Sequence, residues 1–387
     1  MSYKRDLKTP SQSFFLFGPR ATGKSTWLRD QFKPDLTIDL LKTETYLEMS
    51  ASPEKLWAYV AALPKNSKIV IDEVQRNPSL LNEVHSLTFE FEDKYQFALA
   101  GSSARKLKKE NVNLLAGRAI AKQFFPLTSH ELGDDFSVDT ILQFGSLPRA
   151  INLKKNEDKI DYLTSYVETY LREEIQQEAV VRNLQAYNRF LKHTAVLNGQ
   201  VANLSNISRE AAIPRATLDG YFSILKDTLL GDFVESIHLK AKVKEVSTAK
   251  FYFFDCGVVR ALRQELRQPL GEEKGFLLEN LILNELKAFS GYRSLGLEIF
   301  YWGVPSGGEV DFIVSQGKKK IGIEVKSSKT WRKEYSQGLR GLLEAKKIQR
   351  AIGIYQGKEK LKQDGIEIFP VEKFLKSLWA GNFEEFY

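Results

Sequence analysis

At 387 residues the chain is too long for one ordinary hydrophobic core, so two or three domains are expected. A composition of 43% hydrophobic and 27% charged residues excludes a long disordered tract, and a net charge of +7 permits a polyanionic partner without requiring one. The early apolar run Phe14–Phe17 is too short for a signal-peptide core, and no other stretch approaches the ~18 apolar residues of a membrane span. The single cysteine, Cys256, cannot form an internal disulfide. These features predict a cytoplasmic protein without membrane contact.

Residues 1–150 form the first expected domain. Phe14–Phe17 reads as an apolar strand that enters a Gly-rich turn and a helix from about Lys24. Lys68–Ile71 and Tyr95–Ala100 are further apolar strands, with the helical patterns PEKLWAYVAAL and PSLLNEVHSLTF between them, and a last strand at about Ala119–Phe125 ends at Pro126. Such runs predict a parallel sheet covered by helices on both faces.

Residues 151–250 predict a mostly helical domain. Ile160–Ala179 and Leu184–Leu197 have helical spacing. Ser205–Ala212, a turn at Ile213-Pro214 and Arg215–Leu229 then read as helix–turn–helix. Strand-like GDFVESI and FYFFD follow, which is the order of a winged helix. A plain helical lid fits equally, since Arg209, Arg215 and Lys226 give only a modest basic surface. Residues 251–387 predict an α/β unit: the helix GFLLENLILNELKAF, strands EIFYWG, GGEVDFIVS and KKIGIEVKS, a helix over 335–347, the strand AIGIYQ and a terminal helix.

Residues 18–25 read Gly18-Pro19-Arg20-Ala21-Thr22-Gly23-Lys24-Ser25, a complete G-x-x-x-x-G-K-[ST] phosphate loop placed between a strand and a helix, with Thr26 next. Gly18 and Gly23 let backbone N–H groups turn inward around phosphates, Lys24 reaches the β- and γ-phosphates, and Ser25 ligates Mg²⁺. In KIVIDEVQ the strand carries Asp72 to its end as the Mg²⁺-side acid, and Glu73 is placed to polarise the attacking water. No NKxD-like base-specifying element is present, which points to ATP. Ser102 at the end of the third strand is placed to touch the γ-phosphate or to cap a turn. Arg118 is either a surface residue or an arginine finger offered to a neighbour's ATP, with Arg105 in reserve; the finger reading implies a homo-oligomer, expected as a hexamer.

The segments FLFGPRATGKST, IVIDEVQ, FALAGSSARKL, LLAGRAI and FPLTSHEL, then YFFDCGV, GFLLENLILNEL, GGEVDFIV and IGIEVKSS, closely resemble the bacterial and archaeal AAA-superfamily ATPases with a carboxy-terminal DUF4143 domain. The resemblance covers nearly the whole chain. It implies an AAA-type ATPase core, a winged-helix middle and a nuclease-like end. Cys256 stands where that family more often has Thr.

Within the third part, Glu279 interrupts an apolar helix, Asp311 lies on one strand, and Glu324 and Lys326 share one face of the next. Carboxylates on neighbouring strands supply hard ligands for Mg²⁺ or Mn²⁺, and Lys326 can orient a water or stabilise phosphate charge. The pattern resembles the PD-(D/E)xK nuclease superfamily, with Val310 in place of the usual Pro, though a salt-bridged centre in an inactive fold has the same signature. The expected function is ATP hydrolysis coupled to DNA binding and remodelling or translocation by a ring. The alternatives are an ATP-regulated metal-dependent nuclease and a nucleotide-switched regulator with an inactive nuclease fold.

Overall fold

Four consecutive buried residues, Phe14–Phe17, have no polar face, and β1 accordingly lies inside its sheet rather than at an edge. The computed structural model describes residues 3–91, 94–103, 119–170, 183–239, 245–305 and 308–383. The chain divides into two units, Met1–Pro126 with Ser223–Leu230, and Leu127–Phe222 with Gly231–Tyr387. Among the described residues no helix is long and apolar enough to cross a membrane.

In the first unit β1 leads to α1 (Lys24–Trp27), which continues as a π-type turn over Leu28–Phe32. Then come β2 (Leu36–Asp39), α2 (Thr43–Ala51), α3 (Lys55–Ala61), β3 (Lys68–Asp72), α4 (Leu80–Glu90), β4 (Gln96–Gly101) and β5 (Ile120–Gln123). The sheet order is β2-β3-β4-β1-β5 and every pairing is parallel. One face packs Phe15, Phe17, Ile69, Ile71, Phe97 and Leu99 against Leu56 and Val60 of α3 and Leu80 and Val84 of α4. On the other, Phe14 meets Trp27 and Phe32 edge-on, and Trp27 packs on Phe124. The edge strand β2 adds to the strands expected from the sequence; its half-exposed LTID lacks the buried run that marks β1 and β3.

The rest of the chain starts with four short helices: α5 (Ser129–Leu132), α6 (Val138–Phe144), α7 (Pro148–Asn152) and α8 (Asn156–Ser165), the last continued by a π-type turn at Tyr166–Tyr170. The remainder of the helix expected over Ile160–Ala179 lies outside the described residues. Next are α9 (Leu184–Val196), α10 (Leu204–Glu210) and α11 (Arg215–Asp227), within which the boundary between the units falls. The hairpin strands β6 (Gly231–Val234) and β7 (Lys250–Phe253) follow and pair antiparallel. Phe222 packs edge-on against Phe190 of α9 and Phe251 of β7, and Tyr187 against Tyr221. After α12 (Cys256–Arg263) and the long α13 (Lys274–Arg293) comes a six-stranded sheet. It holds β8 (Glu298–Gly303), β9 (Glu309–Gln316), β10 (Lys319–Lys326), β11 (Arg350–Tyr355), β12 (Leu361–Gln363) and β13 (Ile366–Pro370) in the order β12-β13-β11-β10-β9-β8. Helices α14 (Gln337–Glu344) and α15 (Val371–Trp379) complete the unit.

Two buried carboxyls tie distant segments of this unit together. Asp255 caps α12 through Val258 N (3.0 Å) and accepts from Ser146 N (2.7 Å). Gly145, at φ 71°, has no room for a Cβ because Asp255 fills that space. Glu285 of α13 accepts from Ser129 N (2.6 Å), Ser129 Oγ (3.0 Å) and Trp379 Nε1 (2.6 Å). Burial pushes Glu285 up to about 7 and Asp255 up to about 6, against the hydrogen bonds each accepts. Unfolded, both titrate near pH ~4. A carboxyl with a raised folded value contributes stability that is full below its unfolded value and is lost as pH rises through its folded value. The second unit is therefore expected to weaken between about pH 4 and about pH 7 through these groups, by up to roughly 1.4 kcal/mol per pH unit for each. Glu285→Gln is expected to flatten the Glu285 share of that slope; calorimetric midpoints across the range check this.

Candidate nucleotide site and carboxylate–lysine centre

The loop after β1 is built by residues that leave space for backbone. A Cβ on Gly18 would collide with the Phe124 carbonyl, and Gly23 turns the chain at φ 97° into α1. Ala21 also sits at positive φ (63°). Thr22 Oγ1 donates to Pro19 O (2.8 Å), closing the loop on itself, while Arg20 and Thr26 are half-buried. Lys24 Nζ donates to Gly18 O (2.7 Å) and Pro19 O (3.0 Å), so the ammonium lies across the loop's carbonyls. Arg5 holds the loop from behind. Its guanidinium stacks on Phe124 and donates to Thr22 O (2.8 Å) and Phe125 O (2.7 Å).

Asp72 reaches this loop from β3, two strands away. Ser25 Oγ donates to Asp72 Oδ2 (2.8 Å), and Glu73 N donates to Asp72 Oδ1 (3.1 Å). Burial raises the Asp72 pKa, the Ser25 hydrogen bond opposes that, and the Glu73 charge adds to it. Glu73 itself is held at φ 58°, ψ 42°, a left-handed conformation that is sparsely populated for such a side chain. Ser102 is buried at the end of β4 and accepts from Gln75 Nε2 (3.2 Å). Arg118 and Arg105 lie outside the described residues.

In the second unit the structure brings together the buried Glu279 on α13, Asp311 on β9 and Glu324 on β10 with the half-buried Lys326, also on β10. Lys326 Nζ pairs with Glu324 Oε1 and lies 3.6 Å from Asp311 Oδ2, which also accepts from Val325 N (2.7 Å). A second ammonium occupies the other side. Lys250 of β7 pairs with Glu309 and lies 3.7 Å from Glu279 Oε2 and 3.9 Å from Asp311 Oδ1. Tyr252, from the same strand, donates to Glu279 Oε2 (2.9 Å).

Burial, then repulsion from Asp311, pushes Glu279 up to about 8 and raises Glu324 well above the usual carboxylate range. Burial works against the charges on Lys250 and Lys326, but their carboxylate neighbours outweigh it and raise both. Burial thus disfavours the charged forms of the two glutamates, and two lysines face the cluster.

With this geometry in place, residues 10–133 match the family model of an AAA domain and residues 274–374 that of a domain of unknown function, DUF4143. The chain belongs to the AAA-type ATPases that carry a carboxy-terminal DUF4143 domain. Residues 135–269, between the two, match another domain of unknown function, DUF8612. An uncharacterised protein of Mycobacterium tuberculosis is 23% identical over 366 residues, covering 93% of this chain and 80% of that protein. One from Methanocaldococcus jannaschii is 21% identical over 340 residues, covering 81% and 74%. Among solved structures, the Aeropyrum pernix ORC2 protein in its ADP form shares 11% identity at a TM-score of 0.31, covering 66% of this chain and 88% of that one. That likeness is too loose to add to the site.

Three side chains at these two centres gave no sequence signal. Arg5 lies in a polar leader, Gln75 outside the acidic pair, and Lys250 at the start of an apolar strand. For Glu279, Asp311 and Glu324 as metal ligands, the donor set does not fit. A divalent ion needs ionised oxygens free to approach to about 2.0–2.6 Å. Both oxygens of Asp311 are engaged, Glu279 holds a tyrosine hydroxyl and faces an ammonium, and Glu324 offers one unpartnered oxygen, Oε2. Among the described residues no three carboxylate, imidazole or thiol groups are arranged to hold a metal. Lys250→Met would leave Glu279, Glu309 and Asp311 without their shared ammonium. It is expected to destabilise the second unit by about 3–5 kcal/mol, read in its thermal midpoint. Mn²⁺ added to wild type without nucleotide is expected to leave that midpoint unchanged; a rise lost in Asp311→Ala would return these carboxylates to a ligand role.

Proposed function

We propose that the AAA domain hydrolyses ATP and that the chain uses this cycle to handle DNA as a homo-oligomeric ring, a hexamer, in the cytoplasm. The observation that carries the hydrolysis reading is the 2.8 Å hydrogen bond between Ser25 and Asp72. It joins the hydroxyl after the loop lysine to an acid from another strand, so one hydroxyl and one carboxylate converge beside the loop. Those two groups suit Mg²⁺, which, when bound, neutralises phosphate charge and orients the γ-phosphate. Lys24, now on the carbonyls of Gly18 and Pro19, would turn to the β- and γ-phosphate oxygens, which are stronger acceptors for an ammonium. Loop N–H groups hold the remaining oxygens. Glu73 accepts the proton of the attacking water, and Ser102 is placed for the γ-phosphate side.

DNA handling is supported by the order of α9, α10, α11, β6 and β7, which is that of a winged helix, and by the net charge of +7. Exposed Arg215 makes only local contacts, to Ser205 Oγ (3.3 Å) and Asp219 (3.7 Å). The ring is supported by charge. The loop's own arginine, Arg20, is half-buried, and Arg118 of a neighbouring copy can bring a further one to the transferring phosphate. The lysine-filled DUF4143 centre favours a binding element over a cutting one.

Lys24→Ala is expected to abolish measurable ATP turnover and to weaken ATP binding. Glu73→Gln should keep ATP bound with turnover lowered at least about 100-fold, as for loss of a general base. Steady-state ATPase assays with single-stranded, duplex or branched DNA should show stimulation by one form that falls steeply with salt. Rates indifferent to every nucleic acid would remove DNA handling and leave a nucleotide-switched regulator.

A further inference from the structure

Glu73 does not stand alone at the end of β3. Gln75, buried at 5% exposure, donates through Nε2 both to Glu73 Oε2 (2.5 Å) and to Ser102 Oγ (3.2 Å). One amide therefore links the end of β3 to the end of β4. Its orientation is fixed by chemistry, because turning Oε1 towards Glu73 would set two acceptors in contact. The oxygen is left buried with no hydrogen-bond partner, against the backbone of Gly101, where a Cβ would collide with it. Leaving a buried acceptor unpaired is unfavourable, and an apolar side chain could fill the same space without that penalty. The amide is thus accounted for by what its nitrogen does.

We propose that Gln75 is a positioning residue for ATP hydrolysis, holding the Glu73 carboxylate and sharing its amide with Ser102 so that the end of β4 reports to the base. The proposal rests on the reading of Glu73 as the group that activates water. Two further observations converge on it. Glu73 is held in a left-handed backbone conformation, a strain of the kind that gathers at functional sites. β4 lies between the strand that feeds the loop and the strand that carries the acids, so Ser102 stands between the two halves of the site. Ser102 can donate its hydroxyl proton to a phosphate oxygen while still accepting from Gln75, so one chain of hydrogen bonds runs from phosphate through the amide to Glu73. Contact with phosphate is thereby converted into placement of the base.

The test is steady-state ATPase kinetics on the full chain, with a fluorescent ATP analogue to measure binding. Gln75→Ala is expected to lower kcat by about 10- to 100-fold, the loss typical of a supporting hydrogen bond. KM and analogue affinity should change less than about 2-fold, because the residue supports the transition state only. Gly101→Ala keeps the glutamine but pushes its amide aside, and should reproduce the kcat loss. In the double variant the space is free again, so Gly101→Ala should add nothing to Gln75→Ala. Losses that multiply in the double variant, or wild-type kcat in Gln75→Ala beside an inactive Glu73→Gln, would overturn the Gln75 assignment alone. Turnover retained in Glu73→Gln would instead overturn the base reading, and the Gln75 proposal with it. If Gln75→Ala does not fold, Gly101→Ala with unchanged kcat and affinity overturns the proposal by itself.

Discussion

The hydrogen bond from Ser25 to Asp72 spans a strand. Ala100 of β4 is the register partner of both Leu16 and Asp72, so the acid stands level with a residue of β1 at two strand spacings, about 10 Å. Nothing on β1 itself can close that distance. The loop closes it by leaving β1 at Gly18, turning at Gly23 and returning Ser25 over the top of β4. Small residues along this path have their reasons in that route: at Gly18 a side chain would strike the Phe124 carbonyl, and at Gly101 the Gln75 amide. Arg5 fixes the back of the loop to the chain just after β5, so the path is held from both sides.

How much of this could be read from the sequence depends on how local each signal is. The loop, the acidic pair and the central strands were legible because motif and burial sit in consecutive residues. β2 was not, since an edge strand with one wet face gives no apolar run. Residues that act from a distance were silent. Gln75 matters only because the fold sets Ser102 beside it, and nothing in KIVIDEVQ separates it from a surface residue. Lys250 looks like the polar start of a core strand, and its role appears only when β7 is brought against β9 and α13. The four residues from the third part of the chain do meet, though strand alternation spoke only for Glu324 and Lys326. The cation they meet is a lysine from outside that part.

The two polar centres use the same side-chain types to opposite ends. Around the loop, Ser25 is exposed and the lysine donates to two neutral carbonyls, weaker acceptors than phosphate oxygens. In the second centre the ammonium groups of Lys250 and Lys326 already face buried carboxylates, and exchange would strip paired charges. A lysine held by carbonyls is poised for phosphate. A lysine held by carboxylates is committed to the fold.

That commitment explains why two separate family matches, residues 135–269 and 274–374, lie in one compact unit apart from a few residues around the end of α11. A buried ion cluster seldom stabilises more than a well-packed apolar one of the same volume, but it tolerates far fewer arrangements. Lys250 and Tyr252 insert the β6–β7 hairpin into the polar centre beside β9 and β10. Asp255, just beyond, pins the segment after α6, and Glu285 joins Ser129 to Trp379 near the far end of the chain. Each link joins segments far apart in sequence through a polar group that would be left buried and unpaired if its partner moved away. Apolar contacts could slide by a residue at little penalty, whereas these links permit one register. The middle segment and the DUF4143 domain are therefore fixed to each other by the places where polarity had to be satisfied.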